Sequence, residues 1–387
     1  MSEWKKVKLG EISQTIQTGP FGSQLHQSDY SVIGIPVVMP KDIIAGNIEE
    51  ASIARVEQHH IDRLSRHMIS YGDILYARRG DVGKCAFTKQ NQEGWLCGTG
   101  CLRVTINPDM ANPKFVFFQL QKQETIGWIT NHAIGSTMLN LNTTILSNAP
   151  VEIPSLRIQN RIVEILSRYD SLIENYQKQI KLLEEAAQRL YKEWFIDLRF
   201  PGHENTKIVD GVPEGWTPSQ LGQLAEFKRG KTITKKDVID GNIPVVAGGL
   251  EPAYYCNKSN TAERVITISG SGANAGFTRM YFEKVWASDC SFVDVSVTPF
   301  LHFVYCYLKD NKTTIDNMQK GAAQPHVYAK DINSLGLCIP IESILKSFEG
   351  KISKYFDSIS SLQSQLRLLT EARNRLLPKL MSGEIEI

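Results

Sequence analysis

Two stretches of the chain place apolar residues at a regular helical spacing over many turns. Starting from Ile162, steps of alternately four and three residues meet only apolar or aromatic side chains as far as Trp194. The same steps from Phe348 to Leu380 meet a single exception, Arg373. A repeat of about 3.5 residues is typical of helices that pack against each other along a seam. The pattern therefore predicts two long helices, each with one apolar stripe.

We place these helices at 155–196 and 342–382. Ser155 and Ser343 lie at their starts and are expected to act as N-caps. Pro378 is expected to end or kink the second helix, because proline lacks the amide hydrogen that a helix interior requires. The residues expected to pair the two stripes, or to dock a partner, are Ile173, Tyr176, Ile180, Leu183 and Leu190 on the first helix, and Ile359, Leu362, Leu366, Leu369 and Leu376 on the second.

Both helices belong to an internal repeat. Residues 135–195 align without a gap with residues 321–381, at a shift of 186 positions. The segments ahead of them match more loosely, with the run Ile-Pro-Val-Val at 35–38 and again at 243–246. Self-similarity at this scale indicates two copies of one structural unit. Each half of the chain is therefore predicted to consist of a globular module followed by a helix.

A helix with an apolar stripe has to bury that stripe, and the pattern leaves two arrangements open. Each helix could pack on its own module, or the two helices could pair with each other. A helix over residues 157–195 would span about 58 Å at about 1.5 Å per residue. We expect the two helices to pair as an antiparallel coiled coil, which would relate the two modules by an approximate two-fold axis.

The modules themselves are predicted to be mixed α and β, so the fold class is α+β. Short β-like runs such as 33–39, 73–77 and 264–268 are separated by glycine-rich connections. The apolar stretches 115–120 and 300–308 are typical of helices.

Domain boundaries follow from these elements. We predict one domain over 1–154 and a second over 216–341. The segment 197–215 is rich in proline, glycine and polar residues, which is typical of a linker. A short tail, 383–387, comes after the second helix.

Composition narrows the class of protein only slightly. The chain has 387 residues, of which 42% are hydrophobic and 22% charged, so a collagen-like or wholly disordered chain is excluded. No run of about 18 uncharged apolar residues is present, and the start lacks the apolar core of a signal peptide. We therefore expect a cytoplasmic protein without membrane association, whose seven scattered cysteines are reduced thiols. The net charge of +2 neither requires nor excludes nucleic-acid binding, which needs only a local basic surface.

Basic residues cluster beside the glycine-rich loops. Arg78, Arg79 and Lys84 flank Gly80 and Gly83 in the first module. The second module has a denser group, with two arginines further along the chain: Lys228, Arg229, Lys231, Lys235 and Lys236, then Arg264 and Arg279. Lysine and arginine on loops suit phosphate contacts, and arginine suits guanine edges. For any single residue, an ordinary solvated surface position is the alternative interpretation.

Searches for catalytic and metal-binding motifs favour a binding protein. Gly230-Lys231-Thr232 has Ala225 where a phosphate-binding P-loop requires glycine. The glycine-rich run 270–276 precedes a strand-like stretch rather than a helix, so it is predicted to be a turn and not a dinucleotide site. Cys97 and Cys101 lack the second ligand pair of a zinc site. We therefore predict no catalytic residue and no metal site.

Several segments carry a family resemblance. The run Ile-Pro-Ser-Leu at 153–156, the run 194–202 that starts with Trp-Phe-Ile-Asp, the run Val-Pro-Glu-Gly-Trp at 212–216, and the run 375–385 that starts with Arg-Leu-Leu-Pro-Lys all resemble the DNA-specificity (S) subunits of type I restriction–modification systems. The order of module, long helix, module and long helix is similar to that family over the whole chain.

The resemblance implies a function and a set of partners. Each module would be a target-recognition domain that recognises one half of a bipartite site on double-stranded DNA, and the helices would set the unread spacer. The helices would also dock two methyltransferase (M) subunits, and restriction (R) subunits would join afterwards. S-adenosylmethionine, ATP and Mg would be bound by those partners, and no cofactor by this chain.

The resemblance also extends to two loops of the recognition domains. Gly22 and Ser23 lie in one of them, and Gln324 and His326 lie in the other. We therefore count these four residues among the expected DNA contacts. The first module has Met138-Leu139-Asn140 where the second has Gln324-Pro325-His326, so the resemblance does not carry the role of that loop over to the first module.

Other functions stay open on the sequence alone. A methylation-only complex or another defence system would use the same kind of DNA-recognition subunit. A scaffold whose modules bind protein rather than DNA is an alternative of a different class, and an enzyme with an unrecognised site is another.

Overall fold

The structure is a computed structural model, and it describes residues 4–135, 138–234, 236, 238–319 and 325–387. The chain divides into two compact units. The first comprises Met1–Leu172 together with Leu369–Ile387, and the second comprises Ile173–Leu368. Each unit therefore contains one module and one part of each long helix.

The first module consists of short strands and helices. Its strands are β1 (Lys5–Lys8), β2 (Ser13–Thr18), β3 (Tyr30–Ser31), β4 (Ile35–Val38), β5 (Ile43–Ile44), β6 (Asn47–Ile48), β7 (Ala54–Val56), β8 (Ile74–Ala77), β9 (Cys85–Phe87), β10 (Leu96–Cys97), β11 (Cys101–Ile106) and β12 (Pro150–Ile153). Its helices are α1 (Gln58–Arg63), α2 (Pro113–Leu120), α3 (Gln123–His132) and α4 (Thr143–Ser147).

The rest of the chain opens with the long helix α5 (Leu156–Tyr191), which ends in a π-helical turn, Lys192–Ile196. The later strands are β13 (Ile208–Val209), β14 (Val212–Pro213), β15 (Thr217–Gln220), β16 (Lys228–Arg229), β17 (Ile243–Val246), β18 (Tyr254–Cys256), β19 (Val265–Ser269), β20 (Thr278–Tyr281), β21 (Trp286–Ala287), β22 (Cys290–Asp294) and β23 (Gly336–Ile339). The helices are α6 (Leu221–Leu224), α7 (Leu301–Asp310), α8 (Lys312–Asn317), α9 (Ala329–Asn333) and the long helix α10 (Glu342–Ser382).

The main sheets of the two modules have the same topology, and their second sheets have four and three strands. In the first, the sheet order β2-β11-β8-β9 is antiparallel throughout, and a second sheet has the order β10-β4-β7-β3. In the second, the corresponding orders are β16-β22-β19-β20 and β18-β17-β21. Both second sheets contain one parallel pair, β10 with β4 and β21 with β17. The repeat detected along the sequence is therefore also a repeat of topology.

Helices cover one face of each main sheet and close its core. In the first unit, Phe115 and Leu120 of α2 pack with Ile74 and Val104 of the sheet. In the second unit, residues of α7 such as Phe303 and Val304 pack with Ile266 and Val293 of the sheet. The first module has additional elements between β4 and β8, namely the β5-β6 hairpin and α1.

The starts of the two long helices differ. α5 begins at Leu156, and the Ser155 carbonyl accepts the N–H groups of Ile158 and Gln159 at 2.9 and 3.0 Å. α10 begins at Glu342, so Ser343 lies inside the first turn. The expectation that Ser343 is the N-cap is therefore wrong, because the carbonyl of the preceding Ile341 occupies that position in the hydrogen-bond pattern.

The second helix continues through Pro378 and ends at Ser382. Leu380 and Met381, beyond the proline, are buried in the core of the first unit. In addition, the Met381 carbonyl accepts a hydrogen bond from Gln119 Nε2 at 3.2 Å. This packing stabilises the last turn although proline removes one helical hydrogen bond.

Within each unit the two long helices pack together, which confirms the expected pairing. The first unit contains the N-terminal part of α5, up to Leu172, and the C-terminal part of α10, from Leu369. The second unit contains the opposite ends of both helices. The two helices are therefore antiparallel.

Candidate DNA interface and partner-docking helices

Four loops of the first module meet beyond the ends of β2 and β8. They are residues 19–23, 78–80, 98–100 and 138–140, and we call this group the first loop junction. All the segments belong to the first unit, although they are widely separated along the chain.

Backbone hydrogen bonds hold this junction together. The Arg78 N–H donates to the Gly100 carbonyl at 2.7 Å, and the Gly80 N–H donates to the Leu139 carbonyl at 3.1 Å. An antiparallel bridge also joins Arg79 to Asn140. The loops that contain the candidate arginines are therefore fixed relative to one another.

A close backbone approach sets the position of the loop at 19–23. The Gly19 N–H donates to the Cys101 carbonyl at 2.9 Å. A Cβ atom at Gly19 would overlap the carbonyl oxygen of Gly98. Only glycine therefore permits this approach, whereas a Cβ atom at Gly22 would meet open space.

The side chains of the first loop junction are exposed or half-buried. Gly22, Ser23 and Arg79 are exposed. Arg78 is half-buried, and its guanidinium carbon lies 5.7 Å from the centre of the Phe21 ring. The exposed Lys84 is paired with Asp81 at 3.2 Å.

Among the described residues, three polar atoms of this junction are buried without a hydrogen-bond partner: Arg78 Nε, Thr99 Oγ1 and Asn140 Oδ1. A buried donor or acceptor without a partner is unfavourable, so such groups are expected to be satisfied by a bound molecule or by water. Their convergence on one exposed loop group marks it as a candidate binding surface.

The second module has an equivalent group of loops, which we call the second loop junction. It comprises Gly230 and residues 270–272, 287–289 and 325–327. Its hydrogen bonds match those of the first loop junction one for one: Gly230 N–H to the Cys290 carbonyl at 2.8 Å, Gly270 N–H to the Asp289 carbonyl at 3.1 Å, and Gly272 N–H to the Pro325 carbonyl at 3.1 Å. A bridge joins Ser271 to His326, as the other joins Arg79 to Asn140.

The equivalent positions have different side chains. Ser271 takes the place of Arg79, and His326 takes the place of Asn140. The Ser271 hydroxyl donates to the Asp289 carboxylate, which also lies 4.0 Å from the guanidinium of Arg229. The first loop junction is therefore rich in hydrogen-bond donors, whereas the second includes a carboxylate acceptor.

The basic group of the second module lies beside its junction. Lys228 and Arg229 form β16, which pairs with β22 at the edge of the main sheet. Both are exposed, as are Lys231 and Lys236. The indole N–H of Trp286 donates to the Lys231 carbonyl at 2.7 Å and so fixes the backbone of this segment.

Arg279 differs from these residues, because its contacts lie within the module. Its guanidinium is 3.4 Å from Glu251, donates to the Leu250 carbonyl at 2.8 Å and lies 4.9 Å from the centre of the Tyr281 ring. Of the remaining expected contacts, Lys235 and Gln324 lie outside the described residues.

Sequence reasoning did not identify Thr99, Ser271 and Asp289, and it did not assign a role to Asn140. The shift of 186 positions places Asn140 on His326, which was an expected DNA contact. The sequence repeat alone could therefore have indicated Asn140. The other three residues belong to loops whose lengths differ between the modules, and only the hydrogen-bond pattern aligns them.

The residues expected to pair the helices line the packed faces. Ile173 and Ile359 are buried, and the others are half-buried: Tyr176, Ile180, Leu183, Leu190, Leu362, Leu366, Leu369 and Leu376. Each of these positions is therefore at least partly covered by protein.

Other apolar residues of the helices face outwards. Leu182 is 48% exposed and Leu368 is 60% exposed, and the 186-residue shift makes them equivalent. Leu172 is 41% exposed. By contrast, Ile344 and Leu345 also lie off the apolar stripe of α10 but are buried in the core of the second unit.

A cavity of about 550 Å³ lies beside α5 in the second unit, lined by Glu184, Gln188, Tyr305, Lys309 and Phe356 among others. Burial raises the pKa of the Glu184 carboxyl. Burial also lowers the pKa of the Lys309 ammonium group. The cavity is thus partly desolvated and contains groups of both charges.

No cluster of three or more histidine, cysteine, aspartate or glutamate side chains suitable for a metal ion occurs in the described residues. Among the same residues, no helix is both long and apolar enough to cross a bilayer. The seven cysteines are free, and burial raises the pKa of the Cys97 thiol to about 12.

The model of the type I restriction modification DNA specificity domain matches this chain twice, over residues 1–185 and 213–371. The chain belongs to the family of type I restriction–modification specificity subunits. Members are DNA-binding, non-catalytic subunits, so no catalytic residue is assigned to this chain.

Comparisons with single proteins agree with this assignment. The type I restriction enzyme MjaIX specificity subunit of Methanocaldococcus jannaschii is 26% identical, over all of this chain and 94% of that protein. The HindI specificity subunit of Haemophilus influenzae is 22% identical, with both chains covered in full. The crystal structure of an S subunit from M. genitalium shares the fold with a TM-score of 0.64, at 17% identity, over 98% of this chain and 96% of that chain.

Proposed function

We propose that this specificity subunit recognises a bipartite DNA site, with one target-recognition domain for each half-site. The domains are 1–154 and 216–341, and their contacts come from the two loop junctions. The observation that supports this most directly is the match of the two backbone frameworks with different side chains. A shared framework with exchanged side chains suits two half-sites of different base sequence.

Phosphate contacts and base contacts have different sources in this proposal. The exposed Lys228, Lys231 and Lys236 bind phosphates, which positions the domain but gives no sequence information. The exposed Arg79 contacts a base edge in the first half-site, since arginine pairs with guanine. In the second half-site the Asp289 carboxylate accepts a hydrogen bond, which suits the amino group of cytosine.

The helices act as the spacer and as the docking surface. The 36-residue α5 spans about 54 Å at about 1.5 Å per residue, which exceeds one turn of B-DNA. Leu182 and Leu368 are exposed at equivalent positions of the repeat. An exposed apolar residue that recurs once per repeat suits two copies of one partner, and we infer that two methyltransferase subunits dock there.

Restriction subunits join the complex after the methyltransferase subunits. S-adenosylmethionine, ATP and Mg are bound by these partners. The contribution of this chain is to position the partners on one DNA sequence.

The test is a map of methylated adenines across the host genome, with the gene present, deleted, or carrying Arg79→Ala. We expect one bipartite motif to disappear on deletion. In the variant we expect that motif to relax at one position of one half-site. An unchanged map on deletion would contradict the proposal, provided that the partner genes are expressed.

A second variant tests the spacer. Insertion of four residues after Ala186 lengthens α5 by about 6 Å and rotates the rest of the helix by about one turn. We expect a changed spacer length or a loss of methylation. An unaltered site would mean that the helix does not set the distance.

A further inference from the structure

One charged pair interrupts the apolar contact between the long helices. Arg373, the single exception in the apolar stripe of α10, donates from Nη1 to an Asp170 oxygen of α5 at 3.2 Å. The side chains of Arg373 and Asp170 are 32% and 23% exposed. The second Asp170 oxygen lies 3.7 Å from Lys114 Nζ of α2.

Lys114 is itself held by the first module. Its ammonium nitrogen lies 4.6 Å from the centre of the Phe87 ring, and it also lies over the rings of Phe117 and Phe118. The pair therefore has a fixed position in the first unit, rather than being a mobile surface contact.

The internal repeat identifies the counterpart of this pair. A shift of 186 positions carries Asp170 onto Phe356 and brings Arg373 back onto Ala187. Phe356 and Ala187 are 2% and 1% exposed, and both belong to the core of the second unit. They also line the same cavity. The corresponding place in the helix pair is thus charged in one unit and apolar in the other.

This difference matters because the two helices are similar enough to be exchanged. Two copies of the chain could pair α5 with α5 and α10 with α10, in the same antiparallel geometry. In that arrangement Asp170 would face Ala187, and Arg373 would face Phe356. Arg373 would then be half-buried against an apolar side chain without a carboxylate partner, which is unfavourable, while Asp170 would keep only Lys114.

We propose that the Asp170–Arg373 pair makes the two helices of one chain select each other and discriminates against pairing with a second copy of this chain. A polar residue at one seam position is known to specify the partner and the register of a coiled coil. The proposal concerns the choice of helix partner and does not depend on DNA recognition.

The first experiment removes the difference between the two ends. The full chain carrying Asp170→Phe and Arg373→Ala would have Phe opposite Ala in both units. Differently tagged copies are co-expressed, one tag is captured, and the molar mass is measured by light scattering. We expect the variant to show several-fold more cross-capture and a dimer peak, compared with the wild-type chain.

Two further variants keep the test decisive. Asp170→Ala with Arg373→Ala removes the charges without adding bulk, so it answers the question even if phenylalanine disturbs the first unit. Asp170→Glu with Arg373→Lys keeps both charges and should behave like the wild type. Cross-capture at the wild-type level in both charge-removing variants, each folded by circular dichroism, would overturn the proposal. So would equal cross-capture in the charge-conserving variant and the charge-removing ones.

Discussion

The first and second loop junctions have the same backbone hydrogen bonds and different chemistry. In the first, Arg79 and Asn140 occupy the bridged positions, and three polar atoms are buried without a partner in the described part of the chain. In the second, Ser271 and His326 occupy them, and the Ser271 hydroxyl is bound to Asp289. The backbone of a recognition loop can thus be kept while its hydrogen-bonding groups are exchanged. The comparison separates the backbone that builds each domain from the side chains that we propose contact the bases.

The helices offer the same comparison between framework and selectivity. Most of the stripe is apolar in both units, and it stabilises the pair without distinguishing its ends. The Asp170–Arg373 pair is charged, whereas its counterpart, Phe356 and Ala187, is apolar. In both proposals, selectivity comes from a few side chains on a backbone that the two halves of the chain share.

The largest effect is expected where the framework itself is broken. Leu183→Asp together with Leu369→Asp places carboxylates in the helix seam, with an expected loss of about 2–4 kcal/mol at each site. We expect a large fall in Tm and loss of complex assembly, measured by calorimetry and gel filtration. The adjacent exposed pair is the control: Leu182→Asp with Leu368→Asp should leave the Tm almost unchanged while still reducing docking of the methyltransferase subunit. Wild-type assembly in the seam variant would contradict the helix hypothesis.

A smaller effect, confined to one half-site, is expected at the glycines of the loop junctions. A Cβ atom at Gly19 would overlap the Gly98 carbonyl, and one at Gly230 would overlap the carbonyls of Ser288 and Ala287. Gly19→Ala and Gly230→Ala should each weaken binding by about tenfold or more, since overpacking of this kind costs about 1–3 kcal/mol. Binding to duplexes with one half-site scrambled would show which domain is affected.

Gly22→Ala serves as the control, because a Cβ atom there meets nothing within 4 Å. If Gly19→Ala weakened contacts to both half-sites equally, the two junctions would not act as separate recognition elements.

Single side chains of the junctions should change selectivity rather than overall affinity. Arg79→Ala should lower the preference for one base by about 1–3 kcal/mol in the first half-site only. Asp289→Asn should change the preference in the second half-site only, because the amide adds a donor where a carboxylate only accepts. Selection from randomised duplexes measures both. A change in the opposite half-site would reverse the assignment of the domains.

The basic group of the second module is expected to strengthen DNA binding independently of the base sequence. Lys228→Ala with Lys231→Ala should weaken binding to all duplexes and lower the slope of log Kd against log salt by about two. Lys178→Ala, on an exposed face of α5, is the control. If the salt slope did not change, these lysines would not lie at the DNA surface.

The smallest effect concerns pH and the second unit alone. Burial raises the pKa of Glu184, so the folded state favours its neutral form. At low pH the Glu184 carboxyl is neutral in both the folded and the unfolded state, so it does not destabilise the fold. The free energy of unfolding then falls as the pH rises through the raised pKa of the folded state. Glu184→Gln should raise the Tm at pH 8 by a few degrees at most, at about 2–4 °C per kcal/mol, and should have little effect at pH 4. The equivalent position in the first unit is Thr370, where Thr370→Val should show no such pH dependence. An equal gain for Glu184→Gln at both pH values would point to a cause other than ionisation.

Much of the fold could be predicted from the sequence because its signals are local. A stripe that repeats every few residues predicts a helix and its buried face without knowledge of the partner. The stripes from Ile162 and from Phe348 therefore predicted both long helices, and the repeat predicted the two modules. The runs around Pro154, Trp194 and Pro378 were enough to identify the family.

Other features required the tertiary structure, because they depend on groups that are distant along the chain. Asn140 meets Arg79 only when α4 packs beside the sheet, and Asp289 reaches Ser271 only across two strands. Ile344 and Leu345 lie off the apolar stripe of their helix, yet the second unit's core covers them. In the sequence, Arg373 is only an exception in an apolar pattern. The structure shows that it pairs with Asp170. The sequence by itself determined the framework, since secondary structure and amphipathic faces are properties of neighbouring residues. The tertiary structure alone decided which loops converge and which charges pair, since those contacts join residues that no local pattern connects.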